Sequence, residues 1–95
     1  MNAGDWKGFI SSVTNGDIDG VNYYLSAKID VNFIHSEIMT SALIEAVRHD
    51  QLAIIRLLME NGANPKIASP MGESPILLAR QKKNDRINKL LLIKK

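Results

Sequence analysis

Apolar residues recur along this chain in short stripes with helical spacing, and polar or turn-forming residues separate them. Leu43, Ala46 and Val47 fall at i, i+3, i+4, which puts them on one face of a helix. Leu52, Ile55 and Met59 form the next stripe, with Ile54 and Leu58 beside it. Phe9, Ile10 and Val13 open the chain in the same way, and Leu90 to Ile93 close it. Ser41 and Ser74 stand just before two of these stripes, where a hydroxyl can accept a bond from an unpaired N–H one turn in. Pro75 follows Ser74 at a first helical position, where the missing N–H costs nothing. Gly62 comes where a helix ends on a residue of positive φ, and Pro65 blocks continuation. The pattern predicts pairs of short helices.

The pairs repeat. Ser41-Ala42-Leu43-Ile44-Glu45-Ala46 and Ser74-Pro75-Ile76-Leu77-Leu78-Ala79 share their order of hydroxyl, apolar and alanine positions and lie 33 residues apart. A further step back reaches Gly8 to Val13. A second segment, Gly16 to Leu25, leads into Lys28-Ile29-Asp30-Val31-Asn32. Its next copy, Asp50 to Met59, leads into Gly62-Ala63-Asn64-Pro65-Lys66, and a third runs from Lys83 to Leu92. Helices this short are unstable alone, so stacking must hold them.

These residues resemble the ankyrin repeat, whose pattern joins a period of about 33 to a Thr-Pro-Leu-His-x-Ala opening. Ser74 to Ala79 matches the opening, with Gly72 as the loop glycine. Asn61-Gly62-Ala63-Asn64-Pro65 and Ile29-Asp30-Val31-Asn32 match the family's Gly-Ala-Asp-Val-Asn ending. Asp5 to Ile10 looks like an N-terminal cap. The chain departs from the pattern in three places. Ile44 and Leu77 replace the opening's histidine, so its hydrogen bonds between repeats are absent. Lys28 replaces a glycine, and the first long loop is one residue longer than the second. The resemblance implies an all-α fold, a helix–turn–helix solenoid of three stacked repeats. It forms one domain over 1–95, with repeats at approximately 5–32, 33–66 and 67–95.

The charge is uneven. Residues 1–64 hold eight acids and four bases, whereas from residue 80 onward seven bases (Arg80, Lys82, Lys83, Arg86, Lys89, Lys94, Lys95) face one acid, Asp85. A basic end of this kind fits an acidic partner or nucleic acid, or simply a solubilised helix end. Few aromatics lie near those lysines, which disfavours base stacking. With no cysteine, disulfide and thiolate chemistry are excluded. The opening MNAGDWKGFI lacks the basic start and apolar run of a signal peptide, and no apolar stretch is long enough to span a membrane. A cytoplasmic protein is expected, as a monomer or weak dimer.

No catalytic constellation emerges. His35 and His49 lack the spacing of a metal or metalloprotease motif. Asn15, Asp17, Asp19 and Gly20 mimic the start of a calcium loop, but its twelfth position is Ser26 where a bidentate glutamate is needed. Asp17 or Asp19 is better placed near a helix N-terminus. Gly16-x-x-x-Gly20 lacks the lysine and hydroxyl of a phosphate cradle. No enzyme, cofactor or metal is expected.

The resemblance places binding on loop fingers at 33–40 and 67–73 and on the exposed side of the first helices. The finger residues are Phe33, Ile34, His35, Glu37, Ile38, Met39, Met71 and Glu73; on the helices, Glu45, Arg48, His49, Leu78, Gln81 and Lys82 map to the same face. Large apolar residues are unusual in a solvated loop and point to a protein interface. Trp6 and Phe9 are expected to plug the first helix pair. Of Tyr23 and Tyr24, one should be core and the other half exposed. In this register Leu43 is core, so Leu43→Ala should cost ~2–5 kcal/mol in a chemical unfolding experiment. An unchanged melting curve would contradict the register.

Overall fold

The computed structural model describes residues 3–34 and 37–92. His35, Ile93, Lys94 and Lys95, named above, lie outside the described residues. Six helices follow in order: α1 (Ala3–Asn15), α2 (Ile18–Ser26), α3 (Ala42–Arg48), α4 (Leu52–Glu60), α5 (Pro75–Lys82) and α6 (Asp85–Leu91). They form three pairs stacked side by side: α3 packs on both α1 and α5, and α4 on both α2 and α6.

Four helix starts are closed by side chains. Ser41 Oγ accepts from Ile44 N–H and Ser74 Oγ from Leu77 N–H, each at 3.2 Å. Asp17 Oδ1 accepts from Gly20 N–H at 3.0 Å and Asn84 Oδ1 from Ile87 N–H at 3.1 Å. The aspartate that imitates a calcium ligand is thus an N-cap. Gln51 occupies the equivalent place before α4 and makes no cap bond. Its Nε2 instead donates to Thr14 O at 3.1 Å, one of the carbonyls that the end of α1 leaves without a helical partner.

The turns keep the same register. Gly16 (φ 74°), Asp50 (φ 56°) and Lys83 (φ 55°) join the two helices of each pair. Lys28 (φ 68°) and Gly62 (φ 92°) follow the second helices. Met39 (φ 59°) and Gly72 (φ 87°) lie two residues before the serine caps. A left-handed backbone is therefore needed at each of these places whether or not glycine supplies it. Lys28 and Met39 adopt it at a cost of about 1–2 kcal/mol each.

The middle pair contributes more of the core than either end pair. Leu43, Ile44, Ala46, Val47, Ile54, Ile55 and Leu58 are all buried, whereas Leu52 at the head of its stripe is only half-buried. Trp6 and Phe9 are buried beneath the first pair as expected. Tyr24 is half-buried against Phe9, their ring centroids 5.8 Å apart, while Tyr23 is exposed. The one-core, one-half-exposed expectation is thus shifted outward, because α2 belongs to an end pair.

Gly8 sits inside α1, where alanine ordinarily stabilises by roughly 0.5–1 kcal/mol. Here a Cβ would collide with the Tyr24 hydroxyl. Gly8→Ala should therefore lower stability, by about 1–3 kcal/mol on overpacking grounds, as read from a urea midpoint. A rise in stability would show that Tyr24 yields at no cost.

Candidate functional site

The two long loops begin alike. Asp30 Oδ1 accepts from Asn32 N–H at 3.0 Å, and Asn64 Oδ1 from Lys66 N–H at 2.9 Å, giving the same side-chain turn in each. Asn32 then joins the two loops: its Nδ2 donates to Gly62 O at 3.2 Å, and its Oδ1 accepts from Asn64 N–H at 2.8 Å.

The second loop closes tightly. Ser69 N–H donates to Glu73 O at 2.7 Å, Gly72 N–H to Ser69 O at 2.8 Å, and Met71 N–H to Ser69 Oγ at 3.2 Å. That turn pushes Met71 outward, 74% exposed. In the first loop Ile38 is 41% and Phe33 43% exposed, while Ile34 and Met39 are half-buried. Phe33 also meets Trp6 edge-on, with ring centroids 5.7 Å apart, so it shields the core as well as facing out. Glu37 is exposed and lies 3.9 Å from Lys7 Nζ.

At the base of the loops the charged positions pair with one another. Glu45 Oε2 accepts from Thr40 Oγ1 at 2.7 Å and from Arg48 Nε at 3.2 Å. Arg48 also grips Glu73 with both terminal nitrogens, at 2.7 and 3.4 Å. Hydrogen bonding to Glu73, opposed by partial burial and helped by the charge of Glu45, holds the Arg48 pKa above its ordinary value. His49 Nε2 lies 3.5 Å from Glu45 Oε1, an ion pair when the imidazole is protonated. Lys82 Nζ reaches back from α5 to Arg48 O at 2.8 Å and to Asp50 Oδ1 at 3.2 Å. Five sequence-selected residues, Glu45, Arg48, His49, Glu73 and Lys82, thus form one connected network.

Gln81 is exposed and stands outside this network among the described contacts. Leu78 corrects the sequence reading, for it is buried at 8% exposure. Pro75, Leu78 and Ala79 form the i, i+3, i+4 stripe that α5 turns into the core, so the position polar in α3 (Glu45) is core in α5. Among the described residues no three His, Asp or Glu side chains are grouped to hold a metal ion.

The family described as ankyrin repeats, in three copies, matches residues 9–95. The chain belongs to the ankyrin repeat family. Solved ankyrin structures resemble it closely. An ankyrin repeat domain from Acinetobacter baumannii AYE has a TM-score of 0.80 at 30% identity, over 88% of this chain and 45% of that one. The ankyrin repeat protein EF0377 has a TM-score of 0.81 at 32% identity, over 92% of this chain and 46% of that one. The 2-5A-dependent ribonuclease of Homo sapiens is 34% identical over 70 residues, which is 74% of this chain and 9% of that protein. The chain thus spans less than half the length of each relative. Ankyrin repeats generally mediate protein–protein interaction, and the fold is typically non-catalytic. Among the described residues no helix is long and apolar enough to cross a membrane.

Sequence reasoning missed Asn32 and Gln51 as links between ankyrin repeats. Asn32 was visible as the last residue of the ending motif, but Gln51 carries no local signal because its partner, Thr14, is 37 residues away.

The Arg48–Glu73 pair is partly exposed, so it contributes less than about 1 kcal/mol to stability. Its effect is positional. Arg48→Ala should leave the melting temperature nearly unchanged but speed amide hydrogen exchange at residues 69–73. Unchanged exchange there would mean that the loop's own turn suffices.

Proposed function

We propose that this chain is a non-enzymatic protein-binding module, an adaptor or an inhibitor of the immunity type, that recognises one protein partner. It uses the loop fingers and the concave face of the first helices. Partner contact falls on Phe33, Ile34, His35, Glu37, Ile38, Met39 and Met71 in the fingers, and on Glu45, Arg48, His49, Glu73, Gln81 and Lys82 at their base. The observation that carries this reading is the exposure of Ile38 and Met71 on consecutive loops whose bases are fixed by bonds between repeats. Loops tied at their bases have less backbone freedom to lose on docking, and apolar side chains on them offer surface to bury.

The charged base supports specificity more than affinity. Its ion pairs are already satisfied internally, so a partner must match their fixed pattern instead of recruiting free charges. Residues 1–95 are read as one domain, with repeats near 5–32, 33–66 and 67–95. The absence of cysteine supports a cytoplasmic setting, and the chain acts as a monomer or weak dimer.

Phe33→Asp is a poor probe because it would strip cover from Trp6. Ile38→Asp combined with Met71→Asp is the cleaner test. A protein captured from host lysate by the wild type should be lost by this double variant, at least about tenfold in affinity, with melting and salt response unchanged. Equal retention by both forms would move the interface off the fingers.

A further inference from the structure

Repeat register shows which side chains of the last described helix pair are left uncovered by the described residues. Ala46, Ile54 and Leu58 are buried, and so are their counterparts Ala79, Ile87 and Leu91, so these positions are filled within each pair and by the pair before it. Ile44 and Met59 are buried at 0% and 7% exposure, yet their counterparts Leu77 and Leu92 are exposed at 47% and 57%. The difference is the cover that the third pair gives the second. On the same end face, buried Val47 is replaced by exposed Arg80, and buried Ile55 by half-exposed Asn88. Lys83 belongs to the same face by register, for its counterpart Asp50 is reached by Lys82 of the following pair; Arg86 and Lys89 lie off it, since their counterparts Ala53 and Arg56 stay exposed in the covered middle pair.

We infer that this end face is a second docking surface, separate from the fingers, and that it takes an acidic, amphipathic segment of a protein partner. A further repeat stacked as the third is on the second would cover Arg80 where Val47 is covered, and an unpaired buried cation is costly. A second copy of this chain in face-to-face contact sets Arg80 and Lys83 against themselves. Among the described residues, no side-chain hydrogen bond or ion pair engages Arg80 or Lys83. Carboxylates on the partner supply what these cations lack, and Leu77 and Leu92 supply the apolar contact. Nucleic acid matches the charge but leaves the leucines unused.

The probes are three fluorescein-labelled ligands added to the full chain. One is a helical peptide with leucines at i, i+3, i+4, i+7 and glutamates elsewhere. The second has lysines in place of the glutamates, and the third is a short DNA duplex. The glutamate peptide should bind and the lysine peptide should not. Arg80→Glu with Lys83→Glu should weaken the glutamate peptide at least about tenfold, and Leu77→Ser with Leu92→Ser by a similar factor. Circular dichroism melts check that both variants fold; the altered side chains are exposed in the native chain. The Ile38/Met71 double variant should bind the peptide normally, which separates this face from the fingers. Four outcomes overturn the inference: no peptide binding, binding indifferent to the leucines, loss in the finger variant, or tighter binding of the duplex with a steep salt dependence.

Discussion

The structure depends on burial between neighbouring helix pairs. Its helices run from seven to thirteen residues, near or below the length at which a helix holds itself in water. Ile44, Val47, Ile55 and Leu58 are completely buried because the middle pair has a neighbour on each side. Among the described residues the first and third pairs have one neighbour each, and their side chains show it: Tyr23 and Ile18 are exposed in the first, Leu77 and Leu92 in the third. The side-chain hydrogen bonds between repeats refine this arrangement more than they create it, for those of Asn32, Arg48 and Lys82 lie near the surface.

The turns set where that burial occurs. Each pair folds back at a left-handed residue, and the chain pays for this with Asp50 and Lys83 where Gly16 does the same without strain. Because these residues recur in register, each first helix meets the next at a matching height. The Asn32 and Arg48 links can then span adjacent loops with ordinary geometry. Binding positions in such a fold are therefore scaffolded by neighbouring repeats.

Much of this was legible in the sequence because it is local. Ser41, Ser74, Pro75 and Gly62 announce helix ends through their own backbone and side-chain chemistry, and the 33-residue offset supplies the rest. Met39 shows the limit. Nothing in its side chain asks for a positive φ, and only its alignment with Gly72 places it. Leu78 was misplaced because register copied a surface role from Glu45, whereas an apolar side chain on the stripe with Pro75 and Ala79 turns inward. The charged network was legible residue by residue but not as a network, since Arg48 and Glu73 are 25 positions apart and no pattern predicts that they meet.

The carbonyl ends of α1 and α3 are closed by Gln51 and Lys82, each supplied by the following pair. This gives the stack a direction. A helix pair put in place of the second or third would leave its predecessor's helix end open unless it carried a donor there. The donors are not one repeated position, since Gln51 stands before α4 and Lys82 lies within α5, so each junction between pairs is closed in its own way.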